Sequence, residues 1–100
     1  MRLTEDQKQT IIDAGKIELS LNNLAILLNV PYTRLQVEFH NSNSEVFKLY
    51  EKSRIETNNK IIQALTEKAK AGDKAAVKAR TEFMATVKFR EERDKMLRGQ

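Results

Sequence analysis

Residues 20–40 read SLNNLAILLNVPYTRLQVEFH, and the break at Asn29-Val30-Pro31 decides how the whole chain is parsed. Ser20 can cap a first short helix by accepting a backbone N–H from its first turn. Leu24, Ala25 and Leu28 then share one face at helical spacing. Asn29 stands where glycine is common, and Asn enters the left-handed conformation more readily than most residues. Val30 fills the space beneath the turn. Pro31 suits the start of a second helix, where a first-turn N–H has no partner to lose. That second helix runs from Tyr32 to about Asn41. The outline is a helix-turn-helix, with the small Ala25 where the two helices must come close.

Working toward the amino terminus, Thr4 and Gln7 have the spacing of a capping box, and Glu5 and Asp6 suit the positive end of a helix dipole. A first helix from Thr4 to roughly Gly15 follows, with Ile11 and Ile12 as its apolar contacts and Gly15 as its natural stop. Lys16–Leu19 links it to the helix-turn-helix. The candidate core of this three-helix head is Leu19, Leu21, Leu24, Ile26, Leu27, Leu28, Leu35, Val37 and Phe39, not all of which can point inward.

Toward the carboxyl terminus, Asn41–Ser44 is a polar breaker and a candidate boundary. Ser42 or Ser44 can cap a helix that runs unbroken to about Ala71, on the order of 40 Å at 1.5 Å per residue. Its first two turns, with Val46, Phe47, Leu49 and Tyr50, can pack back on the head. Ile61, Ile62 and Leu65 belong to a second contact. Gly72 suits the left-handed position after a helix end and Asp73 the cap of the next helix. So short a connection folds two helices into an antiparallel hairpin. The last helix runs from Lys74 to Met96 or Leu97, with a stripe at Ala76, Ala79, Phe83 and Val87. The expected fold is all-α: a helix-turn-helix head over 1–41, a helical hairpin over 42–87, and a charged helix end or tail over 88–100.

The totals agree with that outline. The 100 residues are 40% hydrophobic and 32% charged, with 3 Gly and 1 Pro, a composition that favours long helices over sheet. Only 6% is aromatic, so a large independent core is not expected, and small helical chains often complete their cores by oligomerising. The hairpin carries apolar residues on more than one side, which makes Ile61, Ile62, Leu65, Ala76, Phe83 and Val87 candidates for self-association.

Cysteine is absent, which excludes disulfides, thiolate metal sites and cysteine nucleophiles and fits a cytoplasmic location. No apolar run approaches the roughly 20 residues that span a membrane, and residues 1–10 lack the apolar segment of a secretory signal.

Catalysis finds no support in the sequence. His40, the only histidine, has no carboxylate or second ligand at a matching spacing and reads as a surface or interface residue. There is no glycine-rich phosphate loop, and neither a metal nor another cofactor is implied. Binding is the better-supported class. On the second helix of the head, Tyr32, Thr33, Arg34, Gln36 and His40 are the candidate DNA-binding residues. Arg34 can pair with guanine through two hydrogen bonds, Gln36 with adenine, and His40 lies nearer a phosphate. Glu38 stands where an apolar packing residue is more usual.

Charge complicates the picture. Residues 1–50 hold 5 Lys/Arg against 6 Asp/Glu, a balance of −1, and residues 51–100 hold 13 against 8, a balance of +5. The positive charge therefore lies away from the helix-turn-helix, although phosphate neutralisation usually supplies much of the affinity for DNA. Lys68, Lys70, Lys74, Lys78 and Arg80 cluster near the expected hairpin tip, where solubility and a DNA-facing role are both open.

The order of parts resembles the small terminase subunits of tailed bacteriophages. The resemblance runs from about Ile11 to Val87. It is carried by Val30-Pro31-Tyr32-Thr33-Arg34-Leu35, by Glu45-Val46-Phe47 within NSNSEVFKLYEKSR, and by Ala71-Gly72-Asp73 with Ala75 and Ala76 within EKAKAGDKAAVKARTEF. It implies a non-catalytic ring of several subunits, with the hairpins forming the ring and the heads arranged around it. Such a ring binds double-stranded DNA at the packaging site and engages the large terminase subunit, in part through a carboxyl-terminal segment that maps onto Lys88–Gln100. A small dimeric helix-turn-helix transcription regulator is the competing reading from the residues. A structural protein whose head binds only protein is a third.

Overall fold

The computed structural model describes residues 1–97. It is all-α, with helices Glu5–Lys16 (α1), Leu21–Leu28 (α2), Tyr32–His40 (α3), Glu45–Lys70 (α4) and Lys74–Leu97 (α5), and no strand among the described residues. The chain divides into two compact units, Met1–Thr57 and the residues from Asn58 onward, so α4 contributes to both.

Helix starts follow local chemistry. Thr4 accepts from the Gln7 N–H at 3.2 Å and the Gln7 side chain accepts from the Thr4 N–H at 2.9 Å, which closes the capping box of α1. Ser20 accepts from the Asn23 N–H at 3.2 Å to cap α2. Asp73 accepts from the Ala76 N–H at 3.1 Å as α5 begins. Ser44 stands at the start of α4, where its carbonyl accepts from the Lys48 N–H at 3.0 Å, and its buried hydroxyl donates to Glu38 Oε2 at 2.6 Å.

Three helices end alike, each on a residue in the left-handed region: Glu18 (φ 52°), Asn29 (φ 56°) and Gly72 (φ 97°). The next N–H reaches back five residues in every case. Leu19 donates to the Ala14 carbonyl at 3.0 Å, Val30 to Ala25 at 3.0 Å and Asp73 to Lys68 at 3.1 Å. This is the Schellman closure, which satisfies carbonyls that the helix itself leaves unpaired. Asn29 and Gly72 occupy the positions expected of them. Gly15 does not: α1 runs through it and closes on Glu18 instead.

The reason lies in packing. A methyl group at position 15 would sit 2.5 Å from the Tyr50 carbonyl oxygen and 2.9 Å from Ser53 Cβ, so α4 crosses α1 at backbone contact. Two hydrogen bonds hold the crossing. Ser53 Oγ donates to the Ile12 carbonyl at 2.5 Å and the Tyr50 hydroxyl to the Leu19 carbonyl at 2.8 Å. Around it the first unit buries Ile11, Ala14, Leu24, Ala25, Leu28, Leu35, Phe39, Val46 and Tyr50. Phe39 meets Phe47 and Tyr50 edge to face, with ring centroids 6.1 and 5.1 Å apart, the arrangement that aromatic quadrupoles favour. Arg54 is buried beside this core and holds Glu51 through two bonds of 2.8 and 3.3 Å.

Part of the expected core lies outside it. Ile26, Leu27 and Val37 are 68%, 62% and 68% exposed. A two-turn helix presents one face to the core, and Leu24, Ala25 and Leu28 occupy that face in α2. In α3, Leu35 and Phe39 do so, four residues apart.

In the second unit Ala76 is buried, while Ile62, Leu65, Phe83 and Val87 are half-buried and Ala79 is exposed. Arg80 Nε donates to Thr66 Oγ1 at 2.7 Å, and that hydroxyl donates to the Ile62 carbonyl at 2.8 Å. Arg98–Gln100, the end of the expected charged tail, lie outside the described residues.

Gly15→Ala separates packing from propensity. Helix propensity alone favours Ala by about 1 kcal/mol, whereas the crossing predicts a loss of about 1–3 kcal/mol from overpacking. Urea unfolding decides between them, and a variant more stable than the wild type would mean that α1 and α4 can part without cost.

Candidate nucleic-acid interface

Tyr32, Thr33, Arg34, Gln36 and His40 all lie on α3 and all are exposed. The helix is set by its ends. Asn29 turns the chain out of α2, Pro31 precedes the first residue with extended backbone (φ −60°, ψ 140°), and the Pro31 carbonyl accepts from the Arg34 and Leu35 N–H groups. With Leu35 and Phe39 turned into the core, the five candidates turn outward together. Val37 joins them. Its apolar side chain favoured a core position in the sequence, but its place two residues from both Leu35 and Phe39 puts it on the opposite side of the helix.

Glu38 has an unexpected function. Its side chain is 18% exposed, with the Met1 amino group at 3.0 Å from Oε1 and the Ser44 hydroxyl at 2.6 Å from Oε2. Where an apolar residue would pack, a carboxylate gathers two donors. The Ser44 hydrogen bond foremost, and then the amino group, hold the Glu38 carboxyl below its ordinary pKa. Arg34, one turn earlier, adds a smaller pull in the same direction. The carboxylate therefore serves as a structural tie, and its charge is already engaged.

Most other cations of the first unit are engaged too. Lys8 lies 3.5 Å from Glu5 and 3.8 Å from Glu45, Lys16 lies 3.7 Å from Asp13, Lys52 lies 3.9 Å from Glu56, and Arg54 is held by Glu51. Exposed pairs of this kind add little stability, but they reduce the positive potential the surface can offer.

The first unit also carries an apolar surface. Ile17, 71% exposed, and Leu27 line an open groove of about 320 Å³ with Thr10, Asp13, Ala14 and Leu19. No residue type in the groove singles out a chemistry beyond apolar contact. Among the described residues no group of three or more His, Cys, Asp or Glu side chains is placed to hold a metal ion. No helix of the described residues is long and apolar enough to cross a membrane.

The six self-association candidates divide by exposure. Ile61 is open, Ile62, Leu65, Phe83 and Val87 are partly covered, and Ala76 is fully covered within its own unit. Val77 and Met84, seven residues apart on α5, are exposed large apolar residues that the sequence stripe did not include.

Comparison of the chain with protein-family models, curated proteins and solved structures finds no match.

The Glu38 tie has a pH signature. A carboxyl whose folded pKa is lowered adds stability that is fully present above its ordinary value of 4.5 and is lost as the pH falls through the folded value. Glu38→Gln should lower stability at neutral pH by about 1.5–3 kcal/mol, the range for hydrogen bonds to charged groups. The difference from wild type should shrink as the pH drops below 4.5. Denaturation midpoints measured across that range test this, and a pH-independent difference would assign the effect to packing.

Proposed function

We propose that this chain is a non-catalytic viral DNA-packaging adaptor, which recognises packaging-site DNA as an oligomeric ring and recruits the large terminase subunit. The observation that carries the proposal is the outward row of Tyr32, Thr33, Arg34, Gln36 and His40 on one short helix, set by the left-handed turn at Asn29. On this reading α2 and α3 are a helix-turn-helix, and α3 enters the major groove. Arg34 donates two hydrogen bonds to guanine and Gln36 pairs with adenine, while Val37 offers its methyl groups to thymine. The resemblance of the Val30–Leu35, Glu45–Phe47 and Ala71–Ala76 segments to small terminase subunits supplies the biological setting. In that setting the second unit is an antiparallel hairpin that gathers copies, and the charged segment from Lys88 meets the large subunit. Avidity then compensates for a head whose own charge is near neutral. Ile61, Val77, Met84 and Phe89 are large apolar residues of the second unit still open to a neighbouring copy.

One observation favours a second reading. The groove at Ile17 and Leu27 is an apolar surface of the kind that binds protein. A structural protein whose head contacts only protein would use it and leave α3 without a base to read.

Two measurements test the proposal. Native mass spectrometry should give a closed oligomer larger than a dimer; a stable dimer at micromolar concentration would favour a transcription regulator. Arg34→Ala should weaken binding to a preferred duplex by about 1–3 kcal/mol and flatten the preference at one base pair. Unchanged affinity and preference would remove α3 from the interface.

A further inference from the structure

We infer that the surface around the α4–α5 connection is a phosphate-backbone contact for nucleic acid, made by Lys68, Lys70, Lys74 and Lys78. The inference rests on the reading of this chain as a DNA-binding protein and assigns the electrostatic share of that binding to the second unit.

Three observations converge there. The four lysines are exposed, and among the described residues none of them is in an ion pair, whereas four cationic side chains of the first unit are. Between residues 57 and 80 there are six Lys or Arg against two Asp or Glu, and one of the two, Asp73, is committed to capping α5. Many of the residues near the lysines along the chain are small. Ala64, Ala71, Gly72, Ala75 and Ala79 are exposed, and the space where a Gly72 side chain would sit is open. Long cationic side chains rising from small neighbours let a polyanion approach the helices without meeting bulky side chains. Such a site suits a phosphate chain, because it offers ammonium groups as point charges and lacks the aromatic side chains that stack single-stranded bases.

Counterion release makes the proposal measurable. Each phosphate neutralised steepens the fall of log K with log[salt] by about 0.9 for duplex DNA, which corresponds to roughly tenfold in affinity per contact near 50 mM salt. The test titrates the full chain with a short random-sequence duplex over a salt series. Wild type is compared with K68Q/K70Q/K74Q/K78Q and with a charge-matched control, K8Q/K16Q/K52Q plus K48Q, on the first unit. Lys and Gln have nearly equal helix propensity, and circular dichroism verifies that each variant is folded.

The expected result is a salt slope shallower by about 3–4 and a loss of roughly ten-thousandfold near 50 mM for the α4–α5 variant, with a much smaller change in the control. Equal losses in the two variants would overturn the inference in favour of net charge alone. An unchanged slope in the α4–α5 variant would overturn it while leaving DNA binding by α3 in place. Wild type that binds no duplex, specific or random, would instead sink the DNA-binding reading itself. Wild type that binds anionic vesicles and no duplex would sink both and point to a membrane surface.

Discussion

The close approach of α4 to Gly15 is the constraint on which the first unit depends. Backbone contact there sets the depth at which α4 lies, and that depth carries Val46 and Tyr50 into the core with Phe47 and Leu49 against it. Tyr50 then closes both on Phe39 of α3 and on the carbonyl of Leu19, at the far end of the α1–α2 link. One residue without a side chain thus connects three helices and a loop. A larger residue would not merely crowd its neighbours; it would move the element that completes the core.

Helix ends show the same coupling between backbone and packing. The three Schellman closures deliver Leu19, Val30 and Asp73 to fixed positions after the turn. Leu19 and Val30 pack against the core, and Asp73 caps the next helix. Glycine fills only one of the three left-handed sites. Asn at 29 is well tolerated, while Glu at 18 carries the conformational cost of a side chain in that region, offset by what the closure secures.

Electrostatics divides the chain more sharply than its composition. In the first unit most cations are engaged by carboxylates, and Glu38 spends its charge on the fold. In the second unit Lys68, Lys70, Lys74 and Lys78 are exposed and in no ion pair among the described residues. The arrangement leaves α3 with directional polar groups and little net charge, and the second unit with net charge and few directional groups. Net positive charge and directional polar side chains thus lie in different units of the chain.

The sequence by itself determined the helices, because capping residues, left-handed formers and helical periodicity act within a few residues of one another. The all-α class, the box at Thr4–Gln7, the cap at Ser20, the turn at Asn29 and the stop at Gly72 were all legible there, as was the exposed row on α3. Tertiary structure alone decided what those helices do with their faces. It placed Gly15 inside α1 and turned Ser44 toward Glu38. It also left Ile26, Leu27 and Val37 outside the core and covered Ala76. Each of these outcomes depends on a partner many residues away, and periodicity reports that a residue can be buried without reporting whether anything arrives to bury it.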